Sequence, residues 1–105
     1  MEWIDLADSE RGGASPASMT VLIRMAPGCG YPRHRHVGPE DVLVLAGGYV
    51  DGDGRRFTAG SFVRYPAGSE HEPVALGNAD EPASAGNPSC VLFAVAHEGT
   101  QLVAR

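Results

Sequence analysis

The chain has 105 residues, of which 43% are hydrophobic, and a net charge of −5 at pH 7. That length allows one hydrophobic core but not two, so we expect a single domain over residues 1–105. The acidic balance and the absence of lysine argue against a nucleic-acid partner, because phosphate binding relies on clustered lysine and arginine.

The first residues of the chain, 1–6, are acidic and apolar and lack the basic and hydrophobic regions of a secretory signal. No segment reaches the length of a membrane span, so we expect a cytoplasmic protein with no membrane partner. In that compartment Cys29 and Cys90 are expected to be reduced thiols. Cys90 opens an apolar run and is expected to pack as a small hydrophobic residue, whereas a redox or metal-proximal role for Cys29 stays open.

Short apolar runs separated by turn residues predict an all-β fold. The predicted strands cover residues 18–25, 31–36, 41–46, 62–65, 70–75 and 90–96, within a core of about 18–97. The sequence Asp51-Gly52-Asp53-Gly54 predicts a tight hairpin turn, and not a calcium loop, because the later ligand positions of such a loop are missing. Many short strands at this spacing favour a double-sheet jelly roll or a small barrel.

Residues 77–89 form a polar stretch rich in glycine and proline, between the predicted strands 70–75 and 90–96. A loop of this length in a small domain is either functional or mobile. It could close over the mouth of the barrel or be a surface excursion, and the sequence leaves both open.

Three of the chain's four histidines and one glutamate form a spaced set. His34 and His36 are two positions apart, so on a strand both side chains point to one face. Glu40 follows after a turn through Gly38 and Pro39, and His71 comes from a distant strand. Three neutral imidazoles and one carboxylate would leave a divalent ion with a net charge of about +1, which favours an added anion.

The ligand types narrow the choice of metal. No cysteine belongs to the set, which argues against a closed structural zinc site of the thiolate kind. The sequence therefore predicts one divalent transition-metal ion, and it leaves Zn, Fe, Mn, Ni and Co open.

Two spaced signatures contain these residues: Gly28-x5-His34-Arg35-His36-x3-Glu40-x6-Gly47 and Gly60-x5-Pro66-Ala67-Gly68-x2-His71. Over about residues 20–96 the chain resembles the cupin superfamily, and in particular the small ChrR-type cupins. The resemblance implies a double-stranded β-helix, or jelly-roll barrel, often paired as a homodimer. It also implies that the metal ligands are His34, His36, Glu40 and His71.

Two functions are compatible with this resemblance. One is a dioxygenase-like enzyme that acts on a small-molecule substrate such as a diketone. The other is a zinc-binding sensor or regulatory domain related to the C-terminal cupin of the ChrR anti-sigma factor. A metal-dependent isomerase or hydrolase is a third alternative.

Two departures from the family limit what can be carried over. Ala75 stands where the general pattern often has Asn, so any role of that Asn is absent. The 105 residues also leave no room for the N-terminal helical zinc domain of a full anti-sigma factor of this type.

Several residues near the predicted ligand strands are candidates for lining a pocket, with rim ion pairs and core packing as the alternative. Adjacent strand residues face opposite ways, so Arg64 and Tyr65 cannot both point inward. Glu70 and Glu72, which flank His71, are expected to be solvated. The pocket candidates are Arg24, Met25, Tyr31, Arg33, Arg64, Tyr65 and Phe93.

Overall fold

The computed structural model describes residues 2–6, 18–97 and 100–103. The elements of that part of the chain are eleven β-strands, which confirms the all-β prediction. In chain order the strands are β1 (Glu2–Asp5), β2 (Ser18–Met25), β3 (His34–His36), β4 (Glu40–Ala46), β5 (Gly48–Val50), β6 (Arg56–Thr58), β7 (Phe62–Tyr65), β8 (Glu70–His71), β9 (Val74–Ala75), β10 (Cys90–His97) and β11 (Thr100–Leu102).

The strands form three antiparallel sheets. The largest has the order β1-β2-β10-β4-β7, and the two smaller ones have the orders β11-β3-β8 and β6-β5-β9. Alternate residues of β4 and β10 are buried, as expected for strands with one face toward a core. Their inward side chains pack with those of the smaller sheets in one hydrophobic cluster, which includes Met25, Val44, Tyr49 and Leu92.

Two proline residues explain why the strands differ from the predicted ones. The predicted strand 31–36 is reduced to β3, because Pro32 has no N–H to donate to a ladder. The predicted strand 70–75 is divided into β8 and β9, with Pro73 between them. Strands β1 and β11 lie outside the predicted core of about 18–97 and pair with β2 and β3.

The glycines that begin and end the first signature are required by the backbone. Gly28 has φ 73°, and a Cβ there would lie 2.5 Å from the Cβ of Ala79. Gly47 has φ 63°, and a Cβ there would lie 2.4 Å from the carbonyl oxygen of Ser89. Both positions combine a left-handed backbone with close packing, which only glycine tolerates.

Both cysteines are free thiols. Cys90 is fully buried in the core, as predicted, and burial raises the pKa of its thiol to about 11. Cys29 is exposed, and it belongs neither to the histidine and glutamate cluster nor to the lining of the cavity described below.

The loop 77–89 is folded around the buried side chain of Asn87. The amide nitrogen of Asn87 donates to the carbonyl oxygens of Asn78, Glu81 and Pro82, at 3.0, 3.3 and 3.4 Å. Its amide oxygen accepts from the backbone N–H of Asn78 at 2.8 Å. None of the loop residues lines the internal cavity described below, so the structure does not support a lid.

Replacing Asn87 with alanine is expected to lower the free energy of unfolding by about 2 kcal/mol, because the hydrogen bonds of its buried side chain to the loop backbone are lost. Urea unfolding followed by circular dichroism measures this change. Asn78→Ala is the matched control, since its side chain is exposed and makes one bond, to the backbone of Asp80. Equal losses for the two variants would contradict a central role of Asn87.

No helix of the described residues is long and apolar enough to cross a membrane.

Candidate metal centre

The four residues predicted as ligands come together in the structure. One ligand atom from each of His34, His36, Glu40 and His71 lies within 4.8 Å of the others. His34 and His36 are the buried residues of β3, with exposed Arg35 between them. His71 on β8 lies directly opposite His34 in the antiparallel ladder, and Glu40 is the first residue of β4.

Each of the three histidines is held by a hydrogen bond at Nδ1. His34 Nδ1 lies 3.0 Å from the carbonyl oxygen of Pro32, which can only accept. His71 Nδ1 lies 3.0 Å from Oδ1 of Asp51. His36 Nδ1 lies 3.0 Å from Oγ of Ser69, and that hydroxyl donates its own hydrogen to the carbonyl of Pro66 at 2.6 Å.

These contacts fix the tautomer of each imidazole. All three partners accept, so each Nδ1 carries the hydrogen, and each Nε2 presents a lone pair. A hydrogen bond at the far nitrogen is the arrangement that orients metal-binding histidines in proteins. The second signature thus contributes Ser69 as well as His71, although the sequence analysis did not single out Ser69.

The lone pairs face one another at close range. His34 Nε2 and His71 Nε2 are 2.9 Å apart, which is hydrogen-bond length, yet two rings that carry their hydrogen at Nδ1 have none to share there. His36 Nε2 is 2.9 Å from Oε1 of Glu40, but the buried nitrogen has no partner of hydrogen-bond geometry. Removing the repulsion between lone pairs in both close contacts would take two protons, one for each contact. A single divalent cation bound to all four side chains removes both.

The donor set fits a divalent transition metal. Bonds of about 2.1 Å to nitrogen and oxygen place neighbouring donors about 3 Å apart, as in the two close pairs. Burial also lowers the pKa of His34 from 6.5 to about 4, against the smaller effect of the Pro32 hydrogen bond. The imidazole of His34 is therefore neutral at pH 7, which is the state that binds metals.

A buried hydrogen-bond chain supports His71 from behind. The hydroxyl of Tyr65 donates to Oδ2 of Asp51 at 2.8 Å, and the hydroxyls of Tyr49 and Tyr65 are 2.5 Å apart. The turn predicted at 51–54 is confirmed by the bond from Gly54 N to the carbonyl of Asp51. Asp51 was predicted only as a turn residue, and Tyr49 was not among the predicted site residues.

The cluster borders a small cavity of about 60 Å³. His34, Glu40, His71, Tyr49 and Thr100 contribute the polar part of its lining, beside Tyr31. The rest of the wall is apolar and comes from β2, β4 and β10: Met19, Val21, Ile23, Val42, Leu92, Ala94 and Ala96. The cavity can take a few non-hydrogen atoms, and its walls favour an apolar group next to the donor cluster.

Of the predicted pocket residues, Tyr31 alone lines this cavity. Arg33, Arg64 and Tyr65 line a separate groove of about 530 Å³ on the other side of His71. The remaining candidates are placed elsewhere: Arg24 is exposed and pairs with Glu2, Met25 is fully buried in the core, and Phe93 is a half-buried residue of β10 whose side chain faces away from the core.

The residues whose facing was predicted near the second signature are mostly as expected. Tyr65 points inward and Arg64 outward, where Arg64 pairs with Asp41. Glu70 is exposed and pairs with Arg33. Glu72 is half-buried and lines the groove behind His71, so it is less exposed than Glu70.

A family model described as the ChrR cupin-like domain matches residues 2–84 of the chain. No match was found among curated proteins. Among solved structures, a chain of the Rhodobacter sphaeroides SigE complex with the anti-sigma ChrR is 29% identical, with a TM-score of 0.62. The match covers 75% of this chain and 38% of that one.

Two further structures share the fold at lower identity. A Ralstonia eutropha protein of unknown function with a cupin-like fold is 21% identical, with a TM-score of 0.68, and the match covers 85% of this chain and 52% of that one. An acetylacetone dioxygenase from Acinetobacter johnsonii is 15% identical, with a TM-score of 0.74 and coverages of 97% and 62%. The chain spans about half or less of the length of the first two structures. The shared fold confirms the predicted cupin fold.

Proposed function

The chain belongs to the ChrR cupin-like domain family, and from this premise we propose that it binds one divalent transition-metal ion and acts on a small molecule in a dioxygenase-like reaction. The proposed ligands are His34, His36, Glu40 and His71. One observation carries the proposal: all three imidazoles are hydrogen-bonded at Nδ1 and turn Nε2 toward a common centre. Together with the carboxylate of Glu40, these nitrogens give four possible metal ligands whose atoms lie within 4.8 Å of one another.

A bound ion would supply Lewis acidity and a template for a chelating anion, and iron would add redox chemistry with dioxygen. The residues of the chain do the rest. Glu40 adds the one negative charge among the ligands, so the ion with its four ligands has a net charge of about +1, and an enolate can be held by direct coordination to the ion. The apolar side chains of Val42 and Leu92 exclude water and accept the hydrocarbon part of the substrate.

Metal content and oxygen uptake test this proposal. Protein purified without added metal is expected to contain about one iron per chain, measured by elemental analysis. The iron-loaded protein is then expected to consume oxygen when a small β-diketone is added, in an oxygen electrode. A protein that retains no transition metal and takes up no oxygen would overturn the proposal.

The runner-up is a zinc-binding sensor or regulatory domain. The 29% identity to a chain of the complex between SigE and the anti-sigma ChrR favours this alternative. It expects tightly held zinc, no oxygen uptake with diketones, and a change of conformation when an oxidant is added. Elemental analysis and oxygen uptake on one preparation therefore separate the two functions.

We further propose that the chain forms a cytoplasmic homodimer through the outer face of its large sheet. The outward residues Leu22, Phe93 and Leu43 are cross-strand neighbours in the register. The row continues to Ile4 on one side and Phe62 on the other, which are 62% and 65% exposed. An apolar row across five strands is typical of a protein interface.

Two free cysteines are in keeping with the proposed cytoplasmic location, because the cytoplasm is a reducing compartment.

Phe62→Glu is expected to weaken the dimer at least about tenfold, because a charge would be buried at an apolar interface. Light scattering coupled to size exclusion measures the change as a shift toward the monomer mass. Thr58→Glu is the matched control, since Thr58 is exposed on β6, in a different sheet. A wild-type chain of monomer mass would contradict the dimer.

A further inference from the structure

We propose that Asp51 is a positioning residue that fixes the tautomer of His71 and cancels the remaining positive charge of the metal centre. The inference rests on the proposed metal binding and goes beyond it. It assigns a role to a buried carboxylate that is not one of the four ligands. Tyr65 holds Asp51 in this orientation by a hydrogen bond, and the hydroxyl of Tyr49 is hydrogen-bonded to that of Tyr65.

The geometry around Asp51 is that of a fixed carboxylate. Its side chain is 5% exposed, with Oδ1 at 3.0 Å from Nδ1 of His71 and Oδ2 at 2.8 Å from the hydroxyl of Tyr65. Its backbone is held on both sides, because its N–H donates to the carbonyl of Arg55 and its carbonyl accepts from the N–H of Gly54. A buried carboxylate that accepts at both oxygens has little freedom to turn away from His71.

The two tyrosines stabilise this orientation. Because the hydroxyl of Tyr65 donates to Asp51, its oxygen is left to accept from the hydroxyl of Tyr49. Burial raises the pKa of both phenols, so they remain neutral donors. The ring of Tyr65 also packs against the rings of His71 and His36, with centroids 4.2 and 5.1 Å away. The hydrogen bonds of this chain therefore converge on Asp51, which accepts from Tyr65 at Oδ2 and from Nδ1 of His71 at Oδ1.

The charge of Asp51 changes what the centre attracts. A divalent ion with Glu40 as its one anionic ligand has a net charge of about +1. The negative charge of Asp51, one hydrogen-bonded imidazole away, brings the buried assembly to about zero. We therefore expect Asp51 to strengthen metal retention and at the same time to weaken the binding of simple anions to the ion.

The variant Asp51→Asn separates charge from shape. Asparagine is similar in size and can still accept the hydrogen bond from His71, but it carries no charge. Asp53→Asn is the matched control in the same turn, because Asp53 is exposed and pairs with Arg55. The probes are Co(II), whose affinity is measured by competition with a chelator, and azide, whose binding is followed in the visible spectrum of the Co(II) protein.

Opposite changes in the two affinities are expected for Asp51→Asn. Its Co(II) affinity should fall by about 10- to 100-fold, while azide should bind the remaining Co(II) protein about tenfold more tightly. Asp53→Asn should match the wild type in both. Tyr65→Phe should weaken Co(II) binding in the same direction and by less, since it removes one hydrogen bond and leaves the ring and the charge in place.

Three results would overturn the inference. Wild-type affinities in Asp51→Asn would show that Asp51 does not act on the centre, although metal binding itself would stand. A parallel loss of Co(II) and azide binding would show a structural role of Asp51 in place of an electrostatic one. A wild-type chain that binds no Co(II) would overturn the proposed metal site and, with it, the role of Asp51.

Discussion

Replacing His36 with alanine is expected to lower transition-metal affinity by more than about a hundredfold, since even the groups that merely orient a ligand are worth 10- to 100-fold. His36 is fully buried, and its Nε2 has no hydrogen-bond partner in the described part of the protein. The substitution removes one of the four metal-binding side chains and the contact of 2.9 Å between His36 Nε2 and Oε1 of Glu40. Elemental analysis and competition with a chelator measure the loss.

The same variant has a second readout in stability. An ion present at 100 times its dissociation constant adds about 2.7 kcal/mol to the free energy of unfolding, and this increment should be absent in His36→Ala. His97→Ala is the matched control, because His97 is a partly exposed histidine at the end of β10 that lies 3.7 Å from Asp41. A His36→Ala protein that is folded and keeps wild-type metal content would contradict the assignment of His36.

Three members of the four-residue cluster, His34, His36 and Glu40, could be predicted from local rules. The spacing of His34 and His36 fixes their common face through the alternation of a strand. Register then places His71 opposite His34, and a turn of three residues brings Glu40 to the start of the next strand. The inclusion of His71 in the same site was implied by the resemblance of the two signatures to the cupin pattern, because strand register cannot be read from the sequence alone.

The residues behind the cluster could not be predicted in the same way. Asp51 contacts His71 across 20 positions of sequence, and its own neighbours form a turn pattern that explains an aspartate without any further role. A weaker signal was present: Tyr49 and Asp51 are two positions apart, so they share a face if β5 continues through them. Sequence alone did not show that this face is the buried one.

Strand boundaries and pocket facing were the least predictable features. The two prolines that interrupt predicted strands act through a missing N–H, and the sequence does not show which backbone groups a ladder requires. The pocket candidates were chosen by proximity in sequence. Three of them line the groove behind His71. The cavity itself is lined mostly by inward residues of β2, β4 and β10. Which residues of these strands face inward depends on how the sheets pack, and proximity in sequence does not show it.

The burial of His34 is expected to make the stability of the metal-free protein sensitive to acid. Burial is the largest cause that lowers the pKa of His34, to about 4 from an ordinary value of 6.5. In the metal-free protein, the unfolded chain therefore takes up a proton at His34 between these two values while the folded chain does not. Protonation in this range favours the unfolded state, so stability is fully present above about pH 6.5 and falls as the pH approaches 4.

Acidification from pH 7 to 4 is expected to lower the free energy of unfolding of the metal-free protein by about 3 kcal/mol through His34 alone, at 1.36 kcal/mol per pKa unit. Urea unfolding at several pH values in the presence of a chelator measures this. Because other groups titrate in the same range, the decisive quantity is the difference in pH dependence between the wild type and His34→Gln. The glutamine variant should show a flatter profile because it has no imidazole to protonate in the unfolded state. Parallel profiles would mean that the imidazole of His34 takes up its proton equally well when folded, and that burial imposes no electrostatic cost at this position.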